Sequence, residues 1–181
     1  MLKLLFSCLF VFSTLVHAKT PSLEEMIAQM VIIGFDGTKE GDKWVDQIAK
    51  DIKREKIGGV FLSEKNIQNI TQLKKLNEYL KSNAPKELPL IVAVEHEGGD
   101  KSIFDAKKGF TEVASAYELA KNKDIVETEA LYQKLSTELS KSGVNVNFAP
   151  VLDLQPKKDI YESSKLQRSY SSYEEIVTTY A

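Results

Sequence analysis

From residue 22 to residue 153 the chain alternates between short, continuous apolar runs and longer stretches in which apolar residues recur every three or four positions. Val31-Ile32-Ile33-Gly34-Phe35, Ile57 to Leu62, Leu90 to Glu95 and Val144 to Ala149 are the continuous runs. Runs of this length, rich in β-branched residues, predict strands buried on both faces of a parallel sheet. Between them, Val45, Ile48, Ala49 and Ile52 lie on one side of a helix whose other side carries Lys43, Lys50, Lys53 and Arg54. Ile70, Leu73, Leu76 and Leu80 predict a second such helix, and Leu131, Leu135 and Leu139 mark the apolar face within a helix pair covering 114–142, with Gly143 as its stop signal. Ser22-Leu23-Glu24-Glu25 predicts a capping box ahead of a further short helix.

Strands that alternate with helices of ten or more residues require a parallel sheet, because parallel neighbours need a crossover connection. The pattern therefore predicts an α/β fold with about four parallel strands and intervening helices, the N-terminal part of a TIM-type (β/α)8 barrel. A closed barrel takes roughly 200 to 250 residues or more, so four strands make half of one. Pattern alone leaves a small doubly wound sheet as the alternative. Its cue would be a Gly-rich turn after the first strand, which Gly34-Phe35-Asp36-Gly37 only faintly provides.

The first eighteen residues read as an export signal and not as part of the fold. A positive start at Lys3, an apolar run from Leu4 to Val16 and the small-residue ending Val16-His17-Ala18 follow the order of a secretory leader. Leu5-Phe6-Ser7-Cys8 superficially resembles a lipoprotein box, but cleavage there would leave too few apolar residues before Cys8. The expected domain layout is a leader over 1–18 and one domain over 19–181, exported to the periplasm or beyond. Without the leader the chain has no cysteine, and His96 is its only histidine. That excludes a cysteine nucleophile, a Cys/His zinc site and an internal disulfide. Losing Lys3 leaves 23 of the 24 basic residues against 26 acidic ones, with no basic block. A nucleic-acid or anionic-membrane partner is not expected from such a balance, and no later segment has the length of a membrane span.

Candidate chemistry gathers where strands end. Glu95 and Glu97 follow the third apolar run and Asp153 follows the fourth, the location of working groups in parallel α/β folds. Two residues apart, Glu95 and Glu97 point to one side, which suits a sugar site or paired acid/base work, whereas a single buried carboxylate bonded to backbone amides is the plainer alternative. His96 with two carboxylates and no further partner is a thin basis for a metal site. Gly98-Gly99 either lets backbone approach a ligand or makes a turn, and Asp153 either binds or caps the loop after Pro150. Asn69-Ile70-Thr71 formally matches a glycosylation acceptor, yet it stands where a helix should start. Lys157-Lys158 reads as a solvated pair.

Ile57-Gly58-Gly59-Val60, Val94-Glu95-His96-Glu97-Gly98-Gly99, Gly109-Phe110-Thr111, Asn147-Phe148-Ala149-Pro150-Val151-Leu152-Asp153 and Arg168-Ser169-Tyr170 occur in one order along the chain. That ordered set resembles the N-terminal barrel domain of glycoside hydrolase family 3, most of all its bacterial β-N-acetylhexosaminidases, over most of residues 22 to 181. The resemblance implies a carbohydrate partner of the N-acetylglucosamine type, no cofactor and no metal. It implies substrate-binding roles for Glu95, Arg168, Glu97 and Asp153. The family pattern has Asp where this chain has Glu95, an Arg within the stretch read here as Asp100-Lys101-Ser102-Ile103, and Glu where this chain has Gln167. The branch's acid/base loop, a Lys-His-Phe-Pro-Gly-His-Gly segment, and its later Asp nucleophile have no counterpart in these 181 residues. The expectation is thus a truncated enzyme without catalytic residues of its own, able to self-associate through open barrel edges. A non-catalytic sugar-binding remnant and an unrelated doubly wound module are the alternatives.

Overall fold

The computed structural model describes residues 20–155 and 167–181. The expected leader with Cys8 and His17, and the Lys157-Lys158 pair, lie outside the described residues. Ser22 opens helix α1 (Leu23–Gln29) with the expected capping box: its hydroxyl accepts from the Glu25 amide at 3.1 Å while its own amide donates to the Glu25 carboxylate at 2.6 Å. Strand β1 (Ile32–Gly34), helix α2 (Lys43–Lys53), strand β2 (Gly59–Phe61), helix α3 (Ile70–Ser82) and strand β3 (Ile91–Val94) follow. Helices α4 (Ala116–Asn122) and α5 (Ile125–Lys141), strand β4 (Val146–Asn147) and helix α6 (Glu174–Tyr180) complete the described chain. Asn69 caps α3 by accepting from the Gln72 amide at 2.9 Å, as the helix-start reading expected.

The four strands pair in parallel and in chain order, β1-β2-β3-β4, with Ile33 beside Val60, Val60 beside Val92 and Val94 beside Asn147. A doubly wound sheet reverses its winding after the first strands. This one does not. Continuous winding in one direction is how a (β/α)8 barrel begins.

Val60, Val92 and Val94 are wholly buried at the centre, covered by Val45, Ile48, Ala49 and Ile52 of α2, Leu73, Leu76 and Leu80 of α3, and Leu135 and Leu139 of α5. Each fully buried aliphatic side chain of this kind contributes about 1.5–3 kcal/mol. The helix faces are therefore the ones the spacing predicts. Strand β1 departs from the expected burial, with Ile32 36% and Ile33 41% exposed. It pairs on one side only, with β2, and an apolar run is buried on both faces only where neighbours or helices cover both.

A buried polar side chain joins two of the layers. Asn77 of α3 donates to the Ser142 carbonyl at 2.9 Å, and the chain then turns at Gly143 with φ +91°, where a Cβ would stand 2.7 Å from that of Asn77. Beyond β4, Val151 pairs in parallel with Ser169, and the Gln155 amide donates to the Ser171 carbonyl at 2.8 Å. A fifth parallel position thus begins outside the four read from apolar runs. Tyr170, 1% exposed, shares a 3.0 Å hydroxyl contact with Tyr132 of α5, and burial pushes both phenols above their ordinary pKa.

Candidate functional site

Beyond Val94, Glu95 and Glu97 share one cleft while His96 between them is buried elsewhere. His96 goes inward: it is 1% exposed, stands edge-on to Phe104 with ring centroids 5.0 Å apart, and has Nδ1 3.3 Å from the Ser102 hydroxyl. Glu95 and Glu97 go to the cleft. His96 therefore does not converge with the two carboxylates, and the metal reading of this triplet is not what the fold builds. Burial without a counter-charge pushes the His96 pKa down to about 4, so the ring is neutral at neutral pH.

Glu97 is nearly closed off from solvent, its side chain 4% exposed, while that of Glu95 is 52% exposed. Arg168 reaches both. Its Nε donates to Glu97 Oε2 at 2.6 Å, its Nη2 donates to Glu97 Oε1, and the same Nη2 lies 3.5 Å from Glu95 Oε1. The buried carboxylate is thus met by a two-pronged guanidinium. Donating hydrogen bonds to Glu97 raises the Arg168 pKa further, desolvation opposes that, and the charges of Glu97, Glu95 and Asp153 add to it. Asp153 acts on the guanidinium from an exposed position. Its carboxylate caps no turn among the described residues, and its backbone carbonyl accepts from the Ser169 hydroxyl.

A cavity of about 380 Å³ opens over the carboxyl ends of β2 and β3. Glu95, Glu97 and Arg168 form one wall, and Phe61, Leu62 and Ile103 form the apolar part. Asp153 does not line it. Three of the four expected binding residues thus meet in one cleft, with the fourth close enough to act through its charge.

The roles of Asn147 and Gln167 in holding this arrangement escaped the sequence reading. Asn147 of β4 accepts from the His96 amide at 2.9 Å and donates to the His96 carbonyl at 3.1 Å, fixing the segment that carries both glutamates. Gln167 adopts φ +53°, with its carbonyl accepting from the Tyr117 amide at 3.2 Å and its side-chain oxygen from the Ser115 hydroxyl at 3.1 Å. That anchors the residue before Arg168. The available signal was the Asn145-Val146-Asn147 alternation, two amides on one face of a strand. Gly98 and Gly99 make the turn at φ +83° and +55°, and a Cβ on Gly98 would stand 2.4 Å from the Ala114 carbonyl. The glycines serve packing against the 113–115 segment, which agrees with the turn reading.

Residues 22–181 match the model of the glycosyl hydrolase family 3 N-terminal domain. The chain belongs to this family. A family 3 β-N-acetylglucosaminidase from Paenibacillus sp. FPU-7 superposes with a TM-score of 0.75 at 26% identity, over 89% of this chain and 30% of that one. NagZ from Neisseria gonorrhoeae, solved with N-trifluoroacetyl-D-glucosamine, gives a TM-score of 0.68 at 30% identity over 83% of this chain and 43% of that one. Among curated relatives, a beta-hexosaminidase of Neisseria meningitidis is 42% identical over 105 residues, 54% of this chain and 28% of the relative. The chain thus spans well under two thirds of the family 3 relatives it matches. Family membership and the sequential parallel sheet together set aside the doubly wound module.

Between about pH 6.5 and pH 4 the unfolded chain binds a proton at His96 that the folded chain refuses. This residue's contribution to stability is therefore fully present above about pH 6.5 and declines as the pH falls towards 4, by about 3 kcal/mol in all. His96→Phe should remove it. Urea unfolding at several pH values should show the wild-type minus variant difference falling by about that amount on acidification, and a constant difference would mean that His96 charges freely in the fold.

Proposed function

We infer that this chain forms the sugar-recognising N-terminal part of a β-N-acetylhexosaminidase-type barrel and binds N-acetylglucosamine-type sugars in the cleft of Glu95, Glu97 and Arg168. The observation that carries this is the Arg168 guanidinium held between a buried and an exposed carboxylate at the carboxyl ends of the strands. Glu95 offers oxygens to sugar hydroxyl protons, and the apolar wall of Phe61, Leu62 and Ile103 accommodates the C–H face of a ring. The relative solved with N-trifluoroacetyl-D-glucosamine supports this ligand class. Recognition is as far as these groups go. Glycoside hydrolysis needs one carboxyl group to protonate the leaving oxygen and a second to attack or activate water, and both oxygens of Glu97 are engaged by Arg168.

Titration of the chain with N-acetylglucosamine, followed by NMR shifts of the Arg168 side chain, should show saturable binding that weakens at least fivefold in Glu95→Ala. The same chain should release no chromophore from an aryl β-N-acetylglucosaminide above background. Turnover that disappears in Glu95→Ala and Glu97→Ala would show a complete catalytic pair at this strand end and overturn the recognition-only reading.

The sequence supports two further properties. Lys3, the Leu4–Val16 run and Ala18 support export, so the protein recovered from the exported fraction of a bacterial host should begin at Lys19 by intact mass; a product retaining Met1 in the cytosol would refute this. No helix among the described residues is long and apolar enough to cross a membrane. Self-association is supported by exposed apolar residues, Ile32 and Ile33 of β1, Trp44 of α2 and Phe148 just past β4. Sedimentation of residues 19–181 should show dimers or larger species at micromolar concentration, together with binding of a hydrophobic dye. A dye-negative monomer would count against it.

A further inference from the structure

Behind the apolar wall of the cleft runs a short chain of hydrogen bonds that begins at His96. The Ser102 hydroxyl has one proton and two acceptors within reach, the Phe104 carbonyl and His96 Nδ1 at 3.3 Å, and the carbonyl is much the nearer. The proton goes to Phe104. The Ser102 oxygen then turns one lone pair to the Phe104 amide, which donates to it at 3.3 Å, and the other to His96 Nδ1. Two lone pairs would repel, so the neutral ring carries its single proton on Nδ1. Nε2 meets no partner among the described residues, which agrees with a nitrogen that has no proton to place.

This arrangement brackets one residue of the cleft. Ser102 stands before Ile103 and Phe104 after it, and Phe104 is fully buried, edge-on to the His96 ring at 5.0 Å and 4.4 Å from the Phe110 ring. The Ile103 carbonyl accepts from Lys108 Nζ at 3.1 Å, and its side chain lines the cleft. We propose that His96 is a positioning residue for this cleft: with its proton on Nδ1 it grips Ser102 from behind and so holds Ile103 at the wall against which a sugar ring lies. At 1% exposure its ring cannot reach a ligand, so it acts through Ser102. The proposal rests on the sugar-binding reading above for the identity of the ligand, but not for the position of Ile103.

The test uses the chain over residues 19–181 at neutral pH and reads the free protein first. Long-range proton–nitrogen correlation of the His96 ring should show Nδ1 protonated and Nε2 bare, and a proton found on Nε2 would overturn the proposal. Ser102→Ala should disturb that tautomer and shift the Ile103 methyl signals, whereas Ser102→Thr, which keeps the hydroxyl, should restore both. Ser102 has extended backbone, at φ −72° and ψ 122°, which a β-branched residue accepts. Unchanged amide signals along the strands would verify that both variants fold. N-acetylglucosamine should bind Ser102→Ala about fivefold more weakly than the wild type, the weight of one neutral hydrogen bond, and Ser102→Thr as tightly as the wild type. A merely structural role would lower the urea midpoint of Ser102→Ala without moving the Ile103 methyls. Methyl signals that stay in place, or a sugar affinity that does not change, would overturn the proposal. If N-acetylglucosamine binds none of the three chains, the sugar-binding reading falls, and the ring tautomer and the Ile103 methyls still decide whether His96 positions the wall.

Discussion

Burying Glu97 is the commitment on which the rest of this site depends. A carboxylate withdrawn from water costs several kcal/mol unless a counter-charge and hydrogen bonds meet it in the low-dielectric interior. Arg168 supplies both from 71 positions further along the chain. To bring it there, the segment beyond residue 166 must return to the end of β3, and the Gln167 contacts to Ser115 and Tyr117 together with the Val151–Ser169 pairing describe how it does so. The fifth parallel position and the charged wall of the cleft are consequences of one ion pair. The pair fixes geometry and does not by itself add stability, since a buried pair often does no better than an apolar replacement.

What the sequence made legible follows from which physical signals are local. Helices α2, α3 and α5 announce themselves because Val45, Ile48 and Ile52, or Leu73, Leu76 and Leu80, must repeat at helical spacing to share one face. The centres of β1 to β4 were equally plain, although the paired lengths are only two to four residues. Burial of β1 was not legible, because it depends on what lies beside the strand and not on the strand's own residues. Nor was the fifth position, where Ser169 and Ser171 replace the apolar run that identifies the others. Helix α6 was missed for a similar reason: only Val177 along it is buried.

The site itself divides the same way. The placement of Glu95 and Glu97 past a strand end could be read directly, and so could their shared side, because alternation is a property of extended backbone. The identity of their partner is a tertiary fact. No spacing rule connects residue 97 to residue 168, and only the likeness to family 3 had brought Arg168 to the same site. Asp153 marks the limit of reading by position: it follows a strand end as expected, yet it influences the guanidinium from outside the cleft lining.

Asn145 and Asn147 do something that neither the charge nor the apolar pattern expresses. The Asn145 amide accepts from the Val92 N–H and donates to the Leu90 carbonyl, whereas that of Asn147 embraces both backbone groups of His96. One amide thus marks where β3 begins and the other where it ends, like the two jaws of a caliper. If β4 slid by two residues, one end of β3 would lose its mark, and the penalty would be buried backbone groups without partners. Two neutral side chains that take no part in lining the cleft thereby measure out the strand, and so decide how far beyond its neighbour each glutamate stands.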